Sequence, residues 1–414
     1  MKSKILAVAA VAVAAALALS ACSGGSSSSD KPTAASDDNP FHYVFVGGIT
    51  GGQASLASQE IASLQAAIKE TNAAGGIDGR KVEMETLDSK SDPTEAVSVL
   101  QKRLAQSPKP DLIRAGLSST EALAMLPVTS RAGIPTHTSS ATPLADDVKA
   151  YPYNVQVSAK NARQVELGRT YLEYKKYKTL AVLAPEDASG DATVESVQSV
   201  YKDSDIKVSV FRYGTNDLDL SVAYQRAIAD KPDVVYANCL GAPCVRVVQA
   251  RLSIAGGTDI PMFGDTSMAG SAGGPAQGVP AEAIKNLYVL IFDGMLKKSD
   301  ADTPKAFKTW YKDMSAITPI TGISSPSIAY DGFRVWAKAF NNIKSTDAKK
   351  GIAEIRDYKW PAGFFVSYGN AVVNYDADSS FPKLPDNAFS VVAVSPLEGG
   401  MYPANDVFSP KVKK

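Results

Sequence analysis

The chain has 414 residues, with 43 acidic and 43 basic side chains and a formal net charge of zero. This balance gives no reason to expect a nucleic acid or an anionic membrane surface as a partner. Because the chain has only two histidines, a histidine-rich metal site is close to excluded.

The first residues have the pattern of an export signal. Lys2 and Lys4 precede an unbroken apolar run over residues 5–19, too short for a spanning helix but right for a signal-peptide core. The run closes on Leu19-Ser20-Ala21-Cys22. This ending resembles the bacterial lipobox, in which the cysteine is diacylated and becomes the new N-terminus. We therefore predict a signal peptide over residues 1–21 and a lipid on Cys22; an ordinary secretory signal with a chance cysteine is the alternative.

The next segment, residues 22–40, is predicted to be a flexible tether. It is rich in Gly and Ser, then in Pro, Ala, Asp and Asn, and it has no apolar periodicity. One diacyl group carries two chains, which is enough for stable anchoring. The sequence therefore predicts an extracytoplasmic protein that is lipid-anchored to the outer face of the cell membrane.

Strands and helices alternate from residue 41 onward, in two runs. In the first run we predict strands over 41–46, 82–87, 111–115 and 134–138, and helices over 56–73, from Asp92-Pro93, and over 119–131. In the second run we predict helices over 161–174, 192–201, 220–229 and 245–255, and strands over 179–184, 208–213, 233–237 and 261–263. Two such runs predict an α/β protein with two open, mostly parallel sheets covered by helices.

Ligands bind beyond the carboxyl ends of the strands in such sheets. The segments that follow the predicted strands are rich in Gly, Ser and Thr rather than in catalytic residue types: they are 47–53, 116–121, 139–143 and 185–190. Ser118 and Ser119 lie where a helix begins, and the free amides there favour an anionic group such as a carboxylate. The alternative is that these serines merely cap their helix. Two adjacent Ser/Thr loops at one sheet edge favour a binding site.

An enzyme is disfavoured by the motifs. The sequence has neither a Gly-x-Ser-x-Gly nucleophile elbow nor a Gly-Lys-Ser/Thr phosphate loop. Neither histidine lies in a recognisable triad motif. His137, beside the second Ser/Thr loop, is a candidate for lining a pocket.

Two cysteines remain after Cys22, at Cys239 and Cys244. In an oxidising exterior, an even pair this close is typical of a disulfide. A loop so small would gain only roughly 2 kcal/mol from the bond on the chain-entropy model, so the bond shapes a loop rather than holding the fold. The spacing does not suit zinc.

Five stretches of the sequence, taken in order, resemble a known family. They are residues 47–52, 70–81, 88–96, 116–119 and 133–142, and the stretch from Glu70 to Lys81 is the most recognisable. The sequence is similar to the solute-binding proteins of branched-chain amino acid (Leu/Ile/Val-binding protein-like) ABC importers, which have the type I periplasmic binding protein fold. The resemblance extends from residue 41 to a last strand over 389–394.

The resemblance implies two lobes that are joined by three crossovers and clamp a ligand between them. The expected lobes are residues 41–157 plus 290–368 and residues 158–289 plus 369–414. It also implies a small-molecule solute, delivery to ABC permease and ATPase subunits, a monomer, and neither catalytic residues nor a cofactor. A receptor of the same fold that feeds a signalling system is the second hypothesis.

In the family, the positions of Ser119, Ser140 and Thr142 bind the carboxylate and ammonium of an amino acid. We carry these over as expected ligand-binding residues, together with their neighbours Ser118 and Ala141.

The second lobe departs from the family pattern. An aromatic residue commonly precedes the glycine where this chain has Ser189-Gly190. An acid that pairs with the ammonium is expected where Thr266 stands, and Asp265 lies one residue early. Ser189, Asp265 and Thr266 are thus the candidates from this lobe. The expected solute widens accordingly, from an amino acid to a related organic acid or amide.

Overall fold

A computed structural model describes residues 35–271, 279–404 and 406–412. The predicted signal peptide, Cys22 and most of the predicted tether lie outside these residues. Within the described ranges, no helix is both long and apolar enough to cross a membrane.

The first sheet has five parallel strands in the order β2-β1-β3-β4-β5. Its strands are β1 (Ser36–Gly47), β2 (Arg80–Asp88), β3 (Leu112–Ala115), β4 (Thr136–Thr138) and β5 (Asn154–Gln156). Helices α1 (Ala54–Ala73), α2 (Pro93–Leu104) and α3 (Ser119–Ala132) connect them. All four residues of the central strand β3 are buried, as expected for a parallel sheet covered on both faces.

Helices α2 and α3 begin where the sequence predicts, and α1 begins two residues before its predicted start. The Asp92 carboxylate accepts hydrogen bonds from the amides of Thr94 and Glu95, and Pro93 takes the first helical position of α2. Helix α3 begins with a capping box between Ser118 and Glu121. Strand boundaries differ by one or two residues from the predicted ones except at the start of β1, which begins at Ser36 rather than at residue 41, with a single pair to Arg80 before a register shift.

The second sheet has six strands in the order β13-β10-β9-β8-β6-β7, parallel except for the pair β10–β13. Its strands are β6 (Thr179–Pro185), β7 (Lys207–Tyr213), β8 (Val234–Ala237), β9 (Met262–Gly264), β10 (Leu287–Phe292) and β13 (Phe389–Ala393). Its helices are α4 (Asn161–Tyr174), α5 (Ala188–Tyr201), α6 (Ser221–Ile228), α7 (Ala242–Ser253) and α8 (Thr266–Ser271). Helix α5 begins four residues earlier than predicted because the Asp187 carboxylate caps it.

Three further helices return to the first sheet. They are α9 (Lys305–Ser315), α10 (Ser324–Ile343) and α11 (Ala348–Asp357), and a two-stranded ladder of β11 (Asn374–Tyr375) and β12 (Pro382–Lys383) follows them. Helix α10 packs on α1 and on β4, where the Trp336 indole donates to the Thr136 carbonyl oxygen at 3.0 Å. Gly332 permits this approach, because a Cβ at that position would lie 2.3 Å from the His137 ring nitrogen Nδ1.

The chain passes between the two sheets three times: after β5, after β10, and between α11 and β13. We call the first sheet with α1–α3 and α9–α11 the first lobe, and the second sheet with α4–α8 the second lobe. This arrangement confirms the predicted fold class of two open, mostly parallel α/β lobes. The lobe boundaries to the residue remain a prediction.

The three crossings contact one another. The Tyr368 hydroxyl donates to the Val157 carbonyl, which joins the third crossing to the first. The Gly294 amide donates to the Ser367 carbonyl at 3.0 Å, which joins the second crossing to the third. On α10, the fully buried carboxylate of Asp331 accepts hydrogen bonds from the backbone amides of Val366, at 2.9 Å, and Ser367, at 2.8 Å. We call these contacts of Asp331 the hinge clasp.

Candidate functional site

A cavity of about 400 Å³ lies between the two lobes, at the carboxyl ends of strands from both sheets. This volume is within the range of small-molecule sites. The first lobe contributes, among others, Gln53, Ser118, Ser119, Thr120, Ser139, Ala141 and Ser325. The second lobe contributes, among others, Glu186, Asp187, Ser189, Tyr213, Cys239 and Thr266. We refer to this cavity as the cleft.

The N-terminus of α3 forms one wall of the cleft. Ser118 and Ser119 line it, as predicted, and the first helical amides have no intrahelical partner. Glu121 accepts hydrogen bonds from the amides of Leu117 and Ser118, at 3.0 and 3.3 Å, and the Ser118 hydroxyl accepts one from the Glu121 amide at 3.2 Å. The amides of Ser119 and Thr120 have no acceptor among the described residues and can bind an acceptor group of a solute. Thr120 lines the same wall, and its buried hydroxyl has no hydrogen-bond partner among the described residues. This wall suits a carboxylate or another acceptor.

The loop after β4 presents alternate residues to the cleft. Ser139 and Ala141 line it, whereas Ser140 and Thr142 are each 1% exposed and lie outside the lining. The reason is that successive side chains of an extended segment point to opposite sides. The Thr142 hydroxyl accepts the Leu144 amide at 3.4 Å and so caps the 3-10 helix that follows. Ser140 and Thr142, which are expected to bind the solute, thus lie directly behind this surface rather than on it, and their role in binding remains a prediction.

A buried ion pair lies behind the first-lobe wall. Arg114 on β3 and Glu60 on α1 are both completely buried, and the guanidinium contacts both carboxylate oxygens at 3.0 Å. Each partner also binds one serine of the cleft. Arg114 donates to the Ser139 hydroxyl at 2.9 Å, and Glu60 accepts the Ser325 hydroxyl at 2.5 Å.

The second-lobe wall is formed by the loop before α5 and the end of β7. Ser189 lines the cleft, as predicted, and its hydroxyl lies 3.5 Å from the Asn238 side-chain oxygen. The aromatic residue that is common in the family at the position of Ser189 is missing, as the sequence shows, but Tyr213 lines the cleft from β7. Its hydroxyl donates to the Asn238 backbone carbonyl at 2.8 Å, which fixes the ring in the wall.

Thr266 and Asp265 have different places. Thr266 lines the cleft, and its hydroxyl donates to the Gln164 side-chain oxygen at 2.8 Å. Asp265 is 2% exposed and lies outside the lining, because its carboxylate accepts the Asn238 side-chain amide at 2.7 Å and the amides that open α8. Burial raises the pKa of Asp265, and these donors oppose that rise. The structure thus gives Asp265 a capping position behind the cleft surface, and its expected role in ligand binding remains a prediction.

Cys239 and Cys244 are joined by a disulfide, with their Cα atoms 5.1 Å apart. The bridged loop carries Gly241, which has a φ of +66° and lies against the first lobe: a Cβ there would be 2.9 Å from the Gly52 carbonyl oxygen. The Ala242 amide donates to this same oxygen at 3.3 Å. This backbone contact, which we call the rim contact, joins the two lobes beside the cleft.

His137 does not line the cleft. It is 1% exposed, and its Nε2 lies 2.8 Å from the Tyr43 hydroxyl inside the first lobe. Burial lowers the pKa of His137 well below its ordinary range, and the nearby positive charge of Arg114 lowers it further. The ring is therefore neutral and structural at physiological pH.

The charged residues that line the cleft are all acidic. They are Asp92, Glu121, Glu186 and Asp187, and no Lys, Arg or His among the described residues joins them. Glu121 accepts hydrogen bonds from the amides of Leu117 and Ser118. Asp92 and Asp187 each use only Oδ1 to cap the helix that follows, and burial raises the pKa of Asp187. Each wall thus carries one carboxylate oxygen, Oδ2 of Asp92 or of Asp187, that helix capping leaves unused.

Sequence reasoning missed several lining residues. Gln53, Thr120 and Ser139 belong to the loops that it singled out, but it did not select them. Ser325 lies in the first turn of α10, in a part of the chain to which no element had been assigned. Its helix begins Ser-Ser-Pro, and that helix-start signal was the available clue.

Comparison with known proteins is consistent with this geometry. The sequence model of the family described as "Periplasmic binding protein" matches residues 44–374. The Leu-, Ile-, Val-, Thr- and Ala-binding protein of Pseudomonas aeruginosa is 27% identical over 171 residues, which are 41% of this chain and 45% of that protein. The Leu/Ile/Val-binding protein of Escherichia coli K12 is 26% identical over 193 residues, 46% of this chain and 52% of that protein. The chain thus spans about half the length of the curated relatives it matches.

Solved structures share the fold at low sequence identity. A solute-binding protein of an ABC transporter from Rhodopseudomonas palustris HaA2, in complex with p-hydroxybenzoic acid, has a TM-score of 0.75 at 16% identity, covering 90% of this chain and 98% of that one. A leucine-binding protein from Thermotoga maritima has a TM-score of 0.70 at 18% identity, covering 89% and 97%.

Proposed function

This chain belongs to the periplasmic binding protein family, and we propose that it is an extracytoplasmic solute-binding protein of an ABC importer. It captures a small polar or carboxylate-bearing solute, an amino acid or a related organic acid or amide, between its two lobes. It then delivers the solute to permease and ATPase subunits. The observation that carries the proposal is the cleft of about 400 Å³, which is lined by Ser and Thr residues from both lobes and by the N-terminus of α3.

The two walls have complementary roles in this proposal. The first-lobe wall, with the N-terminus of α3 and the Thr120 hydroxyl, offers donors to a solute carboxylate. The second-lobe wall offers the Tyr213 ring and the free carboxylate oxygen of Asp187 to the rest of the solute. A solute that contacts both walls at once would favour the closed arrangement of the lobes.

We also propose that the protein is held at the membrane by a lipid on Cys22. The support is the apolar run over residues 5–19, which ends at the lipobox-like Leu19-Ser20-Ala21-Cys22. The Gly/Ser-rich segment that follows gives the folded body freedom to reach a permease.

A binding screen tests the proposed function. The body from residue 35 onward is heated with leucine, isoleucine, valine, threonine, alanine, benzoate, 4-hydroxybenzoate or 3,4-dihydroxybenzoate. We expect at least one of these solutes to raise the melting temperature, because a ligand that binds only the folded state stabilises it by mass action. Calorimetry then measures the dissociation constant and the stoichiometry.

Paired variants locate the binding site. Ala141→Trp places a large ring in the cleft and should abolish the binding, whereas Ala132→Trp, on an exposed position at the end of α3, should leave it intact. Equal binding by both variants would place the solute elsewhere and contradict the proposal. Failure of all eight solutes to bind the unmutated body would count against the solute class.

A further inference from the structure

The Arg114–Glu60 ion pair serves no evident purpose in stability. Both side chains are completely buried. Replacing such a pair with apolar residues of similar volume is often neutral or stabilising in proteins, because both charges lose their hydration. The contacts of this pair with two serines of the cleft suggest a role in the site.

The chemistry of the two partners fixes the direction of each hydrogen bond. A guanidinium has donors only, so the Ser139 hydroxyl must accept from Arg114, at 2.9 Å, and keeps its own proton free. The carboxylate of Glu60, facing that guanidinium, has acceptors only, so the Ser325 hydroxyl must donate to it, at 2.5 Å, and keeps its lone pairs free. Neither hydroxyl has a second hydrogen bond among the described residues.

We propose that the Arg114–Glu60 pair sets the hydrogen-bond polarity of the cleft, with Ser139 as a donor to the solute and Ser325 as an acceptor from it. The pair consists of positioning residues, and the two serines are the specificity-determining contacts. The cleft accordingly selects a solute that carries both an acceptor and a donor group over one that carries an acceptor alone. This inference rests on the proposed function and names the class of solute more narrowly.

The charged residues that line the cleft also favour a solute with a donor group. Acidic side chains line it, without a described Lys, Arg or His, and one carboxylate oxygen of Asp187 is not used in capping. A solute whose only polar group is a carboxylate would bring a further negative charge without a cationic partner. A solute with a hydroxyl or ammonium donor gains a hydrogen bond from the acceptors and, as an ammonium, a favourable charge interaction.

The test uses two pairs of probes, each differing by a single donor group. Isoleucine is compared with 3-methylpentanoate, which has the same carbon skeleton and carboxylate but lacks the ammonium. Similarly, 4-hydroxybenzoate is compared with benzoate. In calorimetric titrations of the unmutated protein, we expect the donor-bearing member of a pair that binds to be favoured by about 10- to 100-fold.

Three variants assign the preference to the proposed residues. Ser325→Ala should reduce the preference within a pair by a factor of about three or more, because it weakens only the donor-bearing member. Ser139→Ala should weaken both members equally, because both carry the carboxylate. The double variant Glu60→Gln with Arg114→Met keeps both serines but removes the charges that orient them. In this double variant the ratio of the two dissociation constants within a pair should fall, while both members still bind. General destabilisation of the protein would not produce this pattern.

The outcomes separate the two proposals. Equal affinity for both members of every binding pair, or an unchanged preference in Ser325→Ala, would overturn the polarity assigned here and leave the solute-binding function standing. If the double variant does not fold, the single serine variants still decide. Binding of none of the four probes or of the wider screen to the unmutated protein would instead overturn the proposed function, and this inference with it.

Discussion

The hinge clasp allows a prediction about the pH dependence of stability. Asp331 is fully buried, and burial raises its pKa to about 6. The hydrogen bonds that its carboxylate accepts from two backbone amides lower this pKa but do not offset the effect of burial. In the unfolded chain an Asp has a pKa of about 4. Between these values the folded state holds more protons than the unfolded state, so the stability from this group is complete below about pH 4 and is lost as the pH rises through 6.

The magnitude follows from the size of the pKa difference. Two pKa units at about 1.4 kcal/mol each correspond to roughly 3 kcal/mol in the free energy of unfolding. The variant Asp331→Asn cannot titrate. Relative to this variant, the unmutated protein should gain roughly 2–3 kcal/mol on going from pH 7 to pH 4. Carboxylates with lowered pKa values, such as those of Asp88 and Asp233, lose their contribution to stability as the pH falls. Both proteins contain these carboxylates, so their contributions cancel when the two proteins are compared.

Urea denaturation at pH 4, 5, 6 and 7 measures the effect. Asp203→Asn, a change of the same chemistry at an exposed position of the second lobe, is the matched control and should follow the unmutated protein. If the free energy of unfolding changed with pH in the same way for the unmutated protein and for Asp331→Asn, the Asp331 carboxylate would not titrate between pH 4 and pH 7. Burial would then not raise its pKa to about 6.

Four further predictions concern the anchor, the disulfide and the cleft. Cys22→Ala should leave the folded body intact but release it from membranes; its persistence in washed membrane fractions would refute the lipid anchor. Cys239 and Cys244 should be bridged in exported protein, as a mass measurement of unreduced peptides can show, and two alkylatable thiols in fresh protein would contradict this. Small-angle scattering should show a smaller radius of gyration with a solute that binds tightly, and an unchanged radius would contradict closure of the two lobes. Asp187→Asn should weaken an ammonium-bearing solute with little loss of stability, whereas Asp265→Asn should lower the free energy of unfolding by about 1–3 kcal/mol through its buried donors. Calorimetry measures the binding by each variant, and urea denaturation measures its stability. If Asp265→Asn lost binding while Asp187→Asn lost only stability, Asp265 rather than Asp187 would be the residue that contacts the solute.

The alternation of strands and helices was predictable wherever one face of an element is apolar and the other polar. The predicted helix over 161–174 coincides with α4, and the strand over 208–213 differs from β7 by one residue. Helix α10 has this contrast as well, and 14 of its 20 residues are buried, but no element was predicted in this part of the chain. Ser325 and Asp331, which both lie on α10, were therefore not among the candidates.

The site could be predicted as a set of loops but not as a set of side chains. Ser119, Ala141 and Ser189 line the cleft as expected. Ser140 and Thr142 lie in the predicted loop but outside the lining, because one residue of offset in an extended segment reverses the direction of a side chain. Asp265 was a candidate because of its charge, and its role as a cap became visible only once the position of Asn238 was known.

The rim contact separates the closing of the lobes from the choice of the solute. It is formed by the Gly52 carbonyl and the Ala242 amide, so no side chain takes part in it, and the bridged loop that contains Gly241 holds the backbone in place. Substitutions on the cleft walls can thus change which molecule is bound without disturbing this contact. The contact between the lobes at the rim therefore constrains the backbone of residues 52 and 242 but not the identity of the side chains that line the cleft.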